Sequence, residues 1–460
     1  MLKHKFTALL YIVMFFLIYQ MLVGGSFNFN LSILKDRAES SQELHQLQAE
    51  SDIKQFISKA KVLHPNLSNY LSYEKLEIYA NQLSNKICSE PCSVREFKII
   101  ILRIINLIGT DHLFLKGNTQ SLPFELHKSA HNEFKLLLDT GEVIRDIKLI
   151  NGMQLEEVWS ELGRLTPRLN ANLENSYVSA YSSRLLPLLL NRDIIEVETK
   201  GELHTFNVIE ERLPPPMSIT EYENYLYVKI SSMSKLDNRM LFNELNKLSK
   251  QYLVLDLRGN RGGSVAKTAK LFEFLTGLKG FKYISPYENR LIKLSKELTE
   301  LNRSRSPLWL LTSAFLECGF KDAYFYKEIK PKLTTVCENV EARTQVAKIQ
   351  TSPQIYIIID GHTASSAAIF AGQMKLLGKA KIFGSVAYGN SLRNYGNSKL
   401  ITLNYSRLMI GIPTTYTYRD ESQDIWPNGY YRGVSPHTHC LKSTCLDLIN
   451  EETYKSSVDL

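Results

Sequence analysis

Ser365 and Ser366 stand side by side in DGHTASSAAIFAG (360–372), between an apolar run (IYIII, 355–359) and a stretch of helical composition. A serine hydroxyl at the mouth of a helix has two uses. It can cap the helix by accepting a hydrogen bond from an orphan backbone N–H. It can also serve as a nucleophile in the field of the helix N-terminus, beside amides that hold an oxyanion. A second unusual turn, DLRGNRGG (256–263), follows the apolar run QYLVL (251–255). Its glycines, Gly259, Gly262 and Gly263, let backbone N–H groups approach a ligand closely, and the helix that follows adds its positive end. The turn lacks the GK[ST] ending of a phosphate loop and does not fit GxGxxG, so amides presented to an oxyanion are the better reading, with a plain tight turn as the alternative. A serine nucleophile also needs a base. IGTDHLFL (108–115) places His112 just past a buried helix, where an imidazolium is favoured; the alternative is a purely structural histidine. His362 is closer to Ser365 in sequence, but neighbours on one tight turn rarely aim at the same atom, so it ranks below His112.

The elements around these turns set the fold class. YLYVKISSM (225–233), QYLVLDL (251–257) and QIYIIID (354–360) read as near-continuous apolar strands. Between them SVAKTAKLFEFLTG (264–277) is an amphipathic helix, with Val265, Ala269, Phe272 and Leu275 on one face. Such strands joined by helices imply a largely parallel sheet covered on both faces, and ligands gather at the carboxyl ends of its strands. REFKIIILRIINLIG (95–109) is apolar nearly all round and therefore a buried helix, ended by Gly109. DIKLINGMQLEEVWSELGRL (146–165) reads as strand, Asn-Gly turn and helix, and LHTFNVIEE (203–211) as strand. The chain divides into a leader or anchor (1–30), a linker (31–50), a helical N-terminal domain (51–120), a small mixed α/β segment (121–215), an α/β core (216–445) with a charged insertion at 280–350, and a C-terminal tail (446–460).

At 460 residues, 44% hydrophobic and 22% charged, the chain has room for two or three domains with ordinary globular composition. Its +8 charge is spread out, with no basic block, zinc-finger spacing or aromatic RNA-binding signature, which argues against nucleic acid as a partner. The opening MLKHKFTALLYIVMFFLIYQMLVGG has a basic head and an apolar run over residues 6–25, a long signal peptide or a membrane anchor. Under the positive-inside rule Lys3 and Lys5 stay in the cytoplasm, so the body is exported to a periplasmic or other extracytoplasmic space. Six cysteines fall into three local pairs, Cys88/Cys92, Cys318/Cys337 and Cys440/Cys445, as expected of disulfides in an oxidising compartment. None has the company of a metal-site histidine or second CxxC.

DLRGNRGG, then TASSAAIFAG (363–372) and KIFGSVAYGNS (381–391), together resemble the C-terminal processing (tail-specific) serine peptidases. Aligned on IFAG, the family's nucleophile falls on Ser365. Where many members supply a lysine base, 25 residues on, this chain has Asn390, so the Ser/Lys dyad is absent. GTDH (109–112) instead resembles the histidine element of the tricorn-like branch without a PDZ domain, which points to His112 as base. HPNL (64–67), IKLINGMQLEEV (147–158), YGNS (395–398) and IPTTYTY (412–418) resemble further pieces of that branch, and the likeness spans roughly residues 50–440. The resemblance implies a crotonase-like or Clp-protease-like α/β core and hydrolysis of peptides or unfolded protein tails through an acyl-enzyme, with no metal or organic cofactor. It assigns the oxyanion hole to the N–H groups of Ser366 and of Gly262 or Gly263. The carboxylate that orients the histidine comes from Asp420, Glu421 or Asp424, ahead of GVSPH (433–437); Asp111 is too close to His112 to serve. Ala368 and His437 depart from the family, whose members carry an acidic residue and an aspartate there. These departures keep open a catalytically silent peptide-binding or scaffolding module, and retinoid-binding relatives add a lipophilic-ligand carrier as a third class.

Overall fold

The computed structural model describes residues 43–458 apart from 279–288, 293–333, 336–348, 419–433 and shorter gaps that include 111, 167–173, 211–213 and 388–393. The apolar run at 6–25, Cys318, Cys337, Asn390, Asp420, Glu421 and Asp424 therefore lie outside the described residues. Among the described residues no helix is long and apolar enough to cross a membrane.

Three helices come first: α1 (Gln46–Leu63), α2 (Tyr73–Ile87) and α3 (Val94–Ile108). Helix α3 opens on a capping box made by Ser93 and Glu96 and closes on Gly109 in the left-handed region, φ 61°. Its all-round apolarity has a two-sided cause. Ile100, Ile101, Ile104 and Ile105 enter a core shared with α1 and α2, whereas Ile99 and Leu102 pack against the next module. The sulfurs of Cys88 and Cys92 lie at bonding distance between α2 and α3. Strand β1 (Phe114–Lys116) then leads away from His112.

The small mixed module contains β2 (Phe124–Lys128), β3 (Phe134–Leu138), β4 (Ile147–Ile150), α4 (Leu155–Leu165), α5 (Glu174–Leu190), β5 (Ile194–Thr199) and β6 (Leu203–Asn207). Strands β2 and β3 form one antiparallel pair, and β5 pairs with both β4 and β6. The Asn151–Gly152 turn expected from the sequence is present, with φ of 48° and 77°. Leu162, Leu165 and Trp159 of α4 close the module's core over Phe124 and Leu126.

The main sheet is built from β7 (Met217–Glu221), β8 (Tyr225–Ile230), β9 (Tyr252–Asp256), β10 (Gln354–Ile359), β11 (Lys381–Gly384) and, after the hairpin β12 (Lys399–Thr402) and β13 (Met409–Ile412), β14 (Thr438–His439). Its order is β7-β8-β9-β10-β11-β14, with β7 antiparallel at the edge and the remainder parallel. This is the covered α/β sheet expected from the apolar runs. Leu253 and Leu255 of β9 and Ile355 and Ile357 of β10 face a core closed by α6 (Asn238–Asn246), α7 (Val265–Thr276) and α8 (Ser365–Leu376). Tyr252, Val254, Tyr356 and Ile358 face the other side, where Ile449 of α9 (Thr444–Val458) packs. The stretch read from the sequence as a tail is thus helical through Val458, because Cys445 and Ile449 recur at helical spacing over this aromatic face.

Hairpin β12–β13 turns away from the main sheet. Strand β13 pairs antiparallel with β1, setting Gly411 opposite Phe114 and Ile410 opposite Leu115. Ile401, Leu403, Ile410 and Ile412 join the core of α1–α3. Buried Asp52 of α1 accepts from the N–H groups of Tyr405 and Ser406, fixing the hairpin loop.

Candidate active site

Parallel pairing of β9 with β10 brings their carboxyl ends to one level, with Asp256 opposite Ile358. The DLRGNRGG and DGHTASS turns leave the sheet from there and are laced together. Asp360 accepts from the backbone N–H of Gly259 at 3.0 Å, and from those of His362 and Thr363 on its own turn at 3.0 and 2.9 Å. The Thr363 hydroxyl donates to the Leu257 carbonyl at 2.9 Å, and the Ala364 N–H donates to the Asn260 carbonyl at 2.9 Å. Buried Asn260 uses its side-chain amide on the Ile230 carbonyl and its Oδ1 on the Gly262 N–H.

Asp256, 0% exposed, anchors the first turn. It accepts from the Tyr227 hydroxyl at 2.6 Å, from Lys229 Nζ at 3.1 Å and from the Arg258 guanidinium at 2.6 Å. Burial alone would raise its pKa, but the Arg258 hydrogen bond, the Lys229 and Arg258 charges and the Tyr227 hydroxyl outweigh that and hold it at about 2.

Asp360 and Asn260 were not singled out from the sequence. The available signals were a D-G pair directly after a buried strand and an asparagine inside a glycine turn, both side chains that satisfy nearby backbone groups. Replacing Asp360 with alanine orphans several N–H groups at once. The expected loss is about 2 kcal/mol, discounted for the exposed Gly259, readable as a lower urea midpoint.

Ser365 is the first residue of α8, and the cap position belongs to Ala364, which makes no side-chain cap bond. The serine is therefore not the helix cap that one sequence reading allowed. It holds φ 51°, in the left-handed region that a residue with a Cβ adopts at a cost of about 1–2 kcal/mol. Such strain concentrates at working sites. Gly262 lies against it: a Cβ there would sit 2.7 Å from Ser365 Cβ, 2.8 Å from the Ala364 oxygen and 2.9 Å from the Ser366 nitrogen. Of the three proposed oxyanion donors, the Gly262 N–H is engaged by Asn260. Gly263, at φ 137°, is exposed on the same turn, and Ser366 stands at the first turn of α8. The site can thus present the first-turn amides of a helix and a glycine amide to a charge developing beside Ser365.

His112 also holds a left-handed conformation, φ 64°. Three supports fix its loop. The Ser398 hydroxyl donates to its carbonyl at 2.7 Å, the following strand pairs with β13, and Thr110 Oγ1 meets buried His64 Nε2 at 3.0 Å. YGNS, HPNL and GTDH, which carried part of the sequence resemblance, therefore meet around one loop. Burial lowers the His112 pKa to about 4, and its Nδ1 is buried with no partner among the described residues. His362 points elsewhere: its Nε2 lies 3.7 Å from Glu125 Oε1, on β2.

The two family departures have local accounts. His437 Nδ1 accepts the Ile382 N–H at 2.9 Å while the His437 backbone N–H donates to the Ile382 carbonyl, so the ring closes the sheet edge as a neutral acceptor. Burial, then Lys375 and Lys381, lower its pKa in keeping with that role. Ala368 is fully buried in the core under α8. Among the described residues no group of three or more His, Cys, Asp and Glu is arranged to hold a metal ion.

Three structures of CPAF superpose on the chain. Mature CPAF is 14% identical over 89% of this chain and 96% of that one, with a TM-score of 0.54. A CPAF point mutant is 14% identical over 90% and 96%, with a TM-score of 0.56. Mature CPAF complexed with lactacystin is 12% identical over 89% and 97%, with a TM-score of 0.53. At these identities the likeness establishes the fold. No curated protein matches the chain by sequence. The sequence profile of peptidase family S41 matches residues 224–439, which contain both laced turns, and agrees with the resemblance carried by DLRGNRGG and TASSAAIFAG. The likeness to peptidase family S41 is thus carried by residues 224–439.

Proposed function

We propose that the protein is an exported serine peptidase that cleaves peptides or unfolded protein tails through an acyl-enzyme. The observation that carries this reading is the strained Ser365 at the N-terminus of α8, in contact with Gly262 of a glycine turn. Ser365 Oγ attacks the carbonyl, His112 takes the hydroxyl proton and returns it to the leaving amine, and water then releases the acyl group. The N–H groups of Ser366 and Gly263 stabilise the oxyanion. Export is supported by the basic head and apolar run at 6–25 and by the Cys88–Cys92 and Cys440–Cys445 pairs, which suit an oxidising compartment. The segment at 6–25 acts as a leader or as an inner-membrane anchor.

The test is labelling of folded protein with a fluorophosphonate probe. Wild type labels, and Ser365→Ala and His112→Ala do not. A folded wild type that reacts with neither this probe nor small acyl esters would point instead to a silent peptide-binding module.

The buried Nδ1 of His112 calls for an acceptor, and the reading assigns it to Asp420 or Glu421. A carboxylate at Nδ1 raises the imidazole pKa, whereas burial alone leaves it at about 4. The base must be neutral, so activity falls as pH drops through that pKa. Replacing the pairing acid (D420N or E421Q) is expected to move the acid limb of kcat/KM down toward pH 4 while lowering kcat; replacing the other leaves the limb in place. If both variants keep the wild-type limb, the orienting acid lies elsewhere.

A further inference from the structure

The small module touches both laced turns. Glu125 of β2 places one carboxylate oxygen 3.1 Å from His127 Nε2 and the other 3.7 Å from His362 Nε2. From α5, the Tyr181 ring meets the His362 ring edge-on at 5.7 Å, and the Arg261 guanidinium lies over the Tyr181 ring at 5.4 Å. His362 is three residues ahead of Ser365, and Arg261 directly precedes Gly262. One aromatic ring from outside the main sheet is thus wedged between the nucleophile turn and the glycine turn. Around Glu125, Asp360 and His362 lies a cavity of about 160 Å³, so the contact is not cushioned by continuous packing.

We propose that Glu125 and Tyr181 are positioning residues for the peptidase reaction, holding the nucleophile turn through His362 and the glycine turn through Arg261. The inference rests on Ser365 being the nucleophile. Neither residue need touch substrate. Each acts by fixing where the turns that carry Ser365 and Gly263 sit, and a misplacement of one ångström costs up to about a hundredfold in rate.

The groups facing His362 decide its charge. Burial disfavours the imidazolium, but the Glu125 carboxylate 3.7 Å away and the Asp360 charge outweigh it, with Arg184 of α5 opposing; the pKa is raised on balance. Glu125 is driven the other way. Burial raises its pKa, but the His127 hydrogen bond and the nearby His362 and His127 imidazoles carry it well below the usual carboxylate range. Lys128 next on β2 is turned to Glu156, and Arg258 is tied to Asp256. The charged His362 therefore persists to higher pH than a free histidine, and the hold loosens as pH rises through its pKa.

Hydrogen exchange and kinetics on the full chain test this with E125Q, Y181L and Y181F. E125Q is expected to speed amide exchange in 357–370 alone. Y181L is expected to speed it in both 257–264 and 357–370, whereas Y181F, which keeps the ring, behaves as wild type. In both disruptive variants kcat falls about tenfold with KM little changed, and E125Q shifts the alkaline limb of the pH profile downward. Unchanged exchange in both turns overturns the proposal. So does faster exchange spread evenly over 121–210, which would mean that the module has merely loosened. A wild type with no Ser365-dependent labelling would refute the peptidase reading separately, since the exchange pattern still decides whether the two residues hold the turns.

Discussion

Ser365→Ala is expected to abolish fluorophosphonate labelling and to lower peptide turnover by on the order of 10⁶-fold, the scale seen when a serine nucleophile is removed from a cooperating site. The fold should not notice. The side chain makes no cap bond and Ala364 already holds the cap position, so stability stays within about 0.5 kcal/mol of wild type. The companion Ser365→Gly separates chemistry from strain. Glycine adopts φ 51° without the Cβ clash, so this variant loses activity equally yet gains about 1 kcal/mol in urea unfolding. A more stable and inactive protein would mark the left-handed serine as strain kept for function. Turnover or labelling that survives Ser365→Ala refutes the nucleophile assignment outright.

Gly262→Ala should be the most damaging change that removes no reacting group. Its Cβ would fall within 2.9 Å of Ser365 Cβ, the Ala364 oxygen and the Ser366 nitrogen, and two of these three are backbone atoms that cannot swing aside. The two turns must separate, carrying the oxyanion donors off their target, so kcat falls by about 10²–10³-fold. Overpacking adds a stability loss of about 1–3 kcal/mol. Gly259→Ala is the control. That residue also holds a positive φ, 75°, but has open space where a Cβ would go, so it costs only about 1 kcal/mol and leaves kcat near wild type. Equal kinetic effects from the two substitutions would show that contact with Ser365 is not what matters.

Local patterns made much of this molecule legible. Runs such as QYLVL and IYIII read as strands buried on both faces, and the 264–277 stretch read as an amphipathic helix is α7, between a Ser264 cap and a Gly277 stop. The two turns were legible as unusual because glycines and adjacent serines have few reasons to follow core strands. How they meet was not. That depends on the parallel register of β9 and β10, whose pairing spans about a hundred residues and leaves no periodic trace. For the same reason α3 read simply as buried, although its two faces serve two cores. Hairpin β12–β13 carries ordinary strand composition, and nothing local directs it to β1 instead of the main sheet. His362 was ranked below His112 on steric grounds, and its attachment to Glu125 joins residues 237 positions apart and lay beyond any local argument.

Hairpin β12–β13 also has a consequence in time. The loop bearing His112 is seated on β13 and latched by Ser398, both made long after the loop itself and after Ser365. During synthesis or threading across a membrane, a chain that has emerged only through α8 owns both turns but has no finished seat for the histidine. Contacts of such long sequence separation form late and slowly. With Ser365 and His112 in the proposed roles, the order of the chain itself keeps a nascent molecule from acquiring its full catalytic arrangement until nearly all of it has been delivered.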